Sequence, residues 1–392
     1  MFAVFTSGCK LLRRIAMLLP ILWLAACQTP GVGSSSGPSI DPNAPVPVAL
    51  LVPHGSAVSN EAFLAKDLEN AARLAVSDLN GVKIDLRVYA TAGQAGLAQQ
   101  VALRAVDEGA KIIIGPLHAG SANAVAVAVA PKGVNVLAFS NNPTIAGGNL
   151  FVLGQTFETT ANRLVNFSTS QGKSRIMTVY ANNLAGQLGR DAIAQAIANN
   201  GATPAGAVQY EFSQNGVVSS IPAIKQAAQS NQANAIFTTA NAAGALPMFS
   251  EMLPEAGLGP DAMQYIGLSR WDTPRQTLSL PGVQNGWFAL PDPQRSAQYR
   301  SRFETAYGNT PHAISGLAYD GIAAVGALVK SGKRNALTTS ALTQGAGFQG
   351  VTGIFRLRKD GTNERGLAVA TVRNQQVVVV SPAPSSFSGA GF

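Results

Sequence analysis

Residues 46–56, VPVALLVPHGS, followed by the stretch AARLAVSDLNG at 71–81, decide the fold. Seven mostly apolar residues end in a Pro/Gly/Ser loop. Beyond it, Leu64, Leu68, Ala71, Ala72, Ala75 and Leu79 recur at helical spacing. The run is too short for a helix and too uniformly apolar for a sheet with one wet face. It predicts a buried strand, a loop and an amphipathic helix. The unit then repeats. IDLRVYA (84–90) precedes a helix carrying Ala98, Val101 and Ala105, and KIIIGPL (111–117) precedes an Ala-rich helix. VNVLAFS (134–140) continues the series. Strands alternating with helices in this way predict an α/β fold with parallel sheets covered on both faces.

The pattern restarts at RIMTVYA (175–181). It runs through a helix at 186–199, AGAVQYE (205–211), a helix at 219–229, ANAIFTTA (233–240), a helix at 242–255 and MQYIGLS (263–269). Two series in a chain of 392 residues predict two doubly wound, Rossmann-like lobes. Helical stretches at 294–307 and 312–330 follow, then the strand-like GIFRLR, LAVATVR and QVVVV. Asp360-Gly361 is a turn signal between the first two of these strands.

The ends of the chain carry different information. Lys10, Arg13 and Arg14 precede an apolar run of twelve residues, Ile15 to Ala26, and no acidic residue occurs before Asp41. A basic segment followed by an apolar one is the layout of a secretory signal. Twelve residues fall short of the about 20 that span a bilayer. Leu24-Ala25-Ala26-Cys27 resembles the bacterial lipobox, which implies cleavage before Cys27 and a lipid on its thiol. Gln28, rather than an aspartate, implies the outer membrane instead of inner-membrane retention. Loss of residues 1–26 removes three basic residues and no acid, so the formal charge of +8 becomes +5. It also removes Cys9, leaving no disulfide partner and no cysteine metal site. No basic block with interleaved aromatics survives, which argues against a nucleic-acid partner. Residues 27–45 read as a flexible tether, about 23 Å long on average and up to about 60 Å when stretched. Residues 382–392 read as a frayed tail.

In a parallel sheet, function collects where loops leave the carboxyl ends of strands. The loops are VPHGSA (52–57), GPLHAGS (115–121), FSNNPT (139–144), YANNLAG (180–186), TTANAAG (238–244) and LSRWDT (268–273). Their candidate ligand-binding residues are His54, Ser56, His118, Ala119, Ser121, Ser140, Asn141, Asn142, Asn182, Asn183, Asn241, Ser269, Trp271 and Asp272. Such loops suit hydrogen bonding to a small polar or anionic molecule, helped by positive helix ends. Convergent acid–base groups are not apparent, no strand-to-helix G-x-S-x-G elbow and no H-E-x-x-H occur, and Gly172-Lys173-Ser174 precedes a strand rather than following one. These features predict no catalytic residues, no cofactor and no metal. His54 and His118 share one lobe, but no carboxylate is evident beside either. Trp271 and Asp272 read equally as a cleft wall with a cation acceptor, or as a packed Trp under a turn that Asp272 opens. On the helix at 312–330, Tyr319 is expected in the packing between lobes and Asp320 in a structural role.

VALLVPHGS, AARLAVSDLNG, IIIGPLHAGS, VNVLAFSNN, SRIMTVYANNLAGQLGRDA and GLAYDGIAAVGALV together resemble the type I periplasmic binding proteins of the leucine-binding family. The resemblance runs through 46–381. It implies two lobes joined by three crossings near 152–156, 288–291 and 349–353, with a ligand in the cleft. The first lobe is then 46–153 plus 292–350, and the second 154–291 plus 351–381. It also implies an import receptor that hands an amino-acid-like solute to an ABC-type permease. That family holds the ligand carboxylate with a Ser at a position nearer His118 or Ala119 here. Its second-lobe carboxylate matches Ser269, with Asp272 three residues on, and its first cleft tyrosine in that lobe appears as Ala185. LAFSNNPTIAGGNLFVLGQTFETTANRLVNF, YANNLAG and GLSRWDTP are also similar to penicillin-binding-protein activators. That resemblance implies a non-enzymatic lipoprotein docking on a peptidoglycan synthase. In both cases the membrane is reached through Cys27. Replacing Cys27 with Ser is expected to move the protein from the membrane to the soluble fraction, and unchanged fractionation would refute the anchor.

Overall fold

The computed structural model describes residues 37–387; Cys27 and the rest of the signal and tether before residue 37 lie outside them. Strands β1 (Val46–Val52), β2 (Ile84–Ala90), β3 (Ile112–Ile114), β4 (Asn135–Ala138) and β5 (Leu150–Val152) form one parallel sheet in the order β2-β1-β3-β4-β5. Helices α1 (Glu61–Asp78), α2 (Ala95–Asp107) and α3 (Ala119–Val129) connect them. Alternate residues of β1 go to opposite faces. Val48, Leu50 and Val52 pack with Leu64 and Leu68 of α1, whereas Ala49 and Leu51 pack with Ala98, Ala102 and Val125 of α2 and α3. Burial on both faces is why the strand reads as a continuous apolar run.

The second sheet has seven strands. They are β6 (Arg175–Ala181), β7 (Thr203–Tyr210), β8 (Ala235–Thr238), β9 (Gln264–Gly267), β10 (Trp287–Leu290), β14 (Ala368–Arg373) and β15 (Gln376–Ser381), in the order β15-β14-β10-β9-β8-β6-β7. The last two are antiparallel additions. Helices α4 (Phe157–Ser170) and α5 (Leu184–Asn199) cover one face through Leu164, Val165 and Ile193. Helices α6 (Gln214–Ser230) and α7 (Leu246–Leu253) cover the other through Ile224 and Phe249. Two further helices, α8 (Pro293–Tyr307) and α9 (Gly316–Val329), return to the first core with Phe303, Ile322 and Val325. A four-residue turn of helix, α10 (Thr339–Leu342), adds Leu342 to that core.

Several expectations are corrected. A small sheet of β11 (Phe348–Gly350), β12 (Gly353–Leu357) and β13 (Asn363–Arg365) places Phe348, Phe355 and Leu357 in the first core, although residues 351–365 were expected in the second lobe. The Asp360-Gly361 turn joins β12 to β13, not to the LAVATVR strand, which pairs with β10 and β15 instead. The tether gives way to packed structure before residue 46, because Ile40 is buried in the first core and bonds the Arg334 carbonyl. The tail docks at its start: Arg163 donates to Ser381 and Pro382, and Arg356 lies over the Phe387 ring. Tyr319 packs within the first lobe, against Tyr299, rather than between lobes.

A single buried ion pair gathers the segments that pass between the lobes. Arg365 Nη1 lies 2.8 Å from Asp320 Oδ2, with the two side chains 4% and 0% exposed. Asp320 Oδ1 accepts from the Val351 amide at 2.8 Å. The Arg365 guanidinium also donates twice to the Leu153 carbonyl, at 2.9 and 2.7 Å. Asn363 donates to the carbonyls of Val152 and Gly154, and the Asp292 amide to that of Thr352. Every formal charge in this cluster is matched, which is the condition for burying charge at all. Replacing Asp320 with Ala strands the guanidinium, and urea unfolding at pH 7 is expected to show a loss of about 3–5 kcal/mol; a loss below about 1 kcal/mol would contradict this role.

A second pair ties α1 to α8 and α9. Asp78 accepts from the Tyr319 hydroxyl at 2.6 Å and from Arg302. Burial pushes the Asp78 carboxyl up, but the hydrogen bonds from Arg302 and Tyr319 outweigh it, and the net shift is below the usual 3.8. A depressed carboxylate pKa contributes stability above the unfolded value and loses it as pH falls through the folded one. Urea midpoints taken below pH 3.8 are therefore expected to fall more steeply in the wild type than in Asp78→Asn. Parallel acid limbs would show that the pair contributes nothing.

Candidate functional site

All five strands of the first sheet run the same way, so the loops after β1, β2, β3 and β4 share one edge. Backbone bonds hold them side by side. The Ala92 amide donates to the His54 carbonyl at 3.0 Å, and the Phe139 amide to the Pro116 carbonyl at 3.0 Å. Gly115 has φ of +88°, and any side chain there would strike the Leu51 carbonyl. Glycine thus lets GPLHAGS fold back over the end of β1. This edge brings together the candidates His54, Ser56, His118, Ala119, Ser121 and Ser140.

Their chemistry departs from expectation in one respect. Each histidine does have a carboxylate partner, supplied by α1. His54 Nε2 is 2.9 Å from Glu69 Oε2, whose other oxygen accepts from Arg73 at 2.8 Å. His118 Nε2 is 2.9 Å from Glu61 Oε1. Glu61 and Glu69 were missed because they lie on the helix, not in the loop. The available signal was an acid at the first helical position straight after a rim loop. Ser140 is buried and accepts from the Asn142 amide at 3.1 Å, and Asn142 accepts from Thr144 at 3.0 Å. Asn141 is exposed, with its backbone against Gly154. Ser121 is buried in the first turn of α3, and Ala119 opens that helix.

The helices that follow the first strands of each lobe start differently, although α7 of the second lobe also lacks a side-chain cap and α8, which returns to the first core, is capped by Asp292. No side chain caps α1, α2 or α3. In the second lobe, Thr156 caps α4, Asn183 caps α5 through the Gly186 amide at 2.8 Å, and Ser213 caps α6. An uncapped N-terminus keeps unbonded amides and a partial positive charge at the loop. The remaining second-lobe candidates are also engaged internally. Asn182 donates to Glu211 at 2.7 Å, and Ser269 to the Ala240 carbonyl at 3.1 Å. Asn241 is exposed at a turn, where its carbonyl accepts from Gly244 and Leu246. Among the described residues, no hydrogen bond joins the first-lobe candidates to the second-lobe set.

Trp271 is not a cleft wall. It is 1% exposed, wedged over Gly267 and Gly286 and tilted against Phe288 in the second core. Its indole has no polar partner among the described residues. Both oxygens of Asp272 are taken by Arg270, at 2.9 and 2.6 Å. That pair lines a cavity of about 400 Å³ between the Arg270–Thr273 loop and the stretch Thr310–Gly316. Tyr299, Arg300, His312 and Thr352 line it from the first-lobe side, together with Leu290 at the end of β10. Among the described residues, no three His, Cys, Asp or Glu side chains stand together as metal ligands, and no helix is long and apolar enough to cross a membrane.

Residues 45–376 match a family model described as periplasmic binding protein. No curated protein matches the chain. Among solved structures, the chain is similar to a branched-chain amino acid ABC transporter periplasmic ligand-binding protein from Burkholderia xenovorans LB400. Identity is 17% and the TM-score 0.66, over 87% of this chain and 96% of that one. It is similar to an ABC transporter substrate-binding protein from Desulfitobacterium hafniense in complex with Leu, at 16% identity and TM-score 0.62, over 86% and 100% of the two chains. A solute binding protein from R. palustris in complex with benzoate gives 16% identity and TM-score 0.56, over 89% and 99%. At these identities the likeness is one of fold, and the match along 45–376 supplies the family. With its two doubly wound lobes and loops gathered at strand ends, the chain belongs to the periplasmic binding proteins, in their type I form.

Proposed function

We propose that the protein is a non-enzymatic, lipid-anchored receptor that holds a small, amino-acid-like solute at the strand-end loops and presents it to an ABC-type permease. Cys27 carries the lipid in this reading, and the outer membrane is its preferred location. The observation that carries the proposal is the trio of uncapped helices at one sheet edge. Their free amides suit a carboxylate, with Ala119 and Ser121 at the start of α3 best placed to receive it. The family match and the likeness to solute-binding folds support the same reading. The lobes then move as units about 153–156, 290–293 and 366–368, while the buried Arg365–Asp320 cluster holds the pivot together.

A second reading is favoured by one surface feature. Val58 and Phe63 stand exposed on the first-lobe rim, and Leu184, Phe212 and Val218 on the loops and helices at the carboxyl ends of β6 and β7. Exposed apolar rims suit a protein partner, as in an activator that docks on a peptidoglycan synthase.

A thermal-shift screen of the soluble chain, residues 28–392, separates the two. A true solute at 100 times its Kd is expected to add about 2.7 kcal/mol of stability. Amino acids, small amides and muropeptide fragments form the panel. If none raises the midpoint, the receptor reading fails, and capture of a peptidoglycan synthase by the same soluble chain would then support the docking role.

A further inference from the structure

We infer that Glu61 is the acceptor for the positively charged group of the solute, so that the bound molecule carries an ammonium. The inference rests on the receptor reading and names its ligand class. Glu61 is 8% exposed and opens α1. One carboxylate oxygen, Oε1, holds His118 at 2.9 Å. The other, Oε2, is buried and has no hydrogen-bond partner among the described residues.

The surroundings of that oxygen form a small polar recess. A methyl group placed on Gly93 would lie 3.2 Å from Glu61 Oε2, 3.3 Å from Ser56 Oγ and 3.5 Å from His118 Nε2. Three polar atoms therefore face one space, Ser56 Oγ from the loop after β1, His118 Nε2 from the loop after β3 and Glu61 Oε2 from α1, beside residue 93 of the loop after β2, which has no side chain to fill it. Gly93 also has φ of +70°, a conformation other residues adopt with strain. A buried carboxylate oxygen without a donor is unfavourable, and an N⁺–H group entering the recess supplies the charge-assisted hydrogen bond it lacks. His118 Nε2 already faces Glu61 Oε1, which leaves too few free donors for a metal and favours an organic cation.

The other candidate carboxylates already have partners. Both oxygens of Glu69 are held, by His54 and Arg73. Both oxygens of Asp272 are held by Arg270, so that residue does not take the ammonium without first losing its guanidinium. Ser269, at the position where the second-lobe acceptor was expected, is a hydroxyl bonded to a carbonyl. The positive charge is therefore read from the first lobe.

The test titrates residues 28–392, as wild type, Glu61→Gln and Gly93→Ala, with the standard amino acids, their decarboxylated amines, their deaminated acids and Zn²⁺ alone. The wild type is expected to bind amino acids and amines. Glu61→Gln is expected to weaken both by about tenfold or more, without moving the melting midpoint of the free protein. Gly93→Ala keeps the charge but closes the recess, and is expected to weaken them as well. Should Glu61→Gln perturb the free protein, Gly93→Ala decides. Deaminated acids binding as tightly as their amino acids, both variants binding like wild type, or a midpoint raised by Zn²⁺ alone would each overturn the inference while sparing the receptor. If nothing in the panel binds the wild type, the receptor reading falls and the inference with it.

Discussion

Two opposite charges with almost no exposure, on Asp320 and Arg365, sit where the chain changes lobes. Moving them out of water is costly, and their mutual attraction repays it only when the remaining donors and acceptors are also met. Here the Val351 amide, the Leu153 carbonyl and the Thr352 hydroxyl meet them. These partners come from two distant stretches of sequence, around 153 and 351–352, and the pair itself adds 320 and 365, so satisfying one ion pair fixes the relative path of all four. Gly350 shows how close the fit is: a side chain there would strike the Asp320 carboxylate. The lobes supply most of the apolar burial, and this polar knot ties the ends of the connecting segments to the first lobe.

Around that junction the two lobes are built alike and finished differently. Both put alternating strand residues into two apolar layers under helices. In the second lobe, Thr156, Asn183 and Ser213 turn inward to cap their own helices. In the first lobe, the equivalent side chains do not, and a carboxylate oxygen is left without a donor. A self-capped helix end has little left to offer a ligand; an uncapped one retains its donors.

The two-lobed plan was legible because double-sided burial writes itself into sequence as short apolar runs at regular intervals. VPVALLV and ANAIFTTA are strands for that reason. Asp320 was legible as structural, since a lone acid on an otherwise apolar helix needs a partner inside. What the partner was could not be read, because Arg365 lies 45 residues on, in a strand of only three residues. The same limit hid Glu61 from His118: their contact is set by two loops folding to one edge, not by spacing. Trp271 shows a different limit. Whether a rim-loop aromatic points out or in is decided by the room beneath it, here provided by Gly267 and Gly286. The segment 351–365 was misplaced because β12 and β13 satisfy a local hairpin and the first core at once, a choice made by packing rather than pattern.

Native-state hydrogen exchange of the Val351 amide, which donates to Asp320 at 2.8 Å, tests the polar junction most directly. If the knot is integral to both lobes, this proton exchanges only through global unfolding, with the same denaturant dependence as the amides of Leu50 in β1 and Phe237 in β8. Exchange through a local opening, much faster than at either strand and insensitive to denaturant, would show that the crossings loosen independently of the cores and that the ion pair does not hold the lobes together.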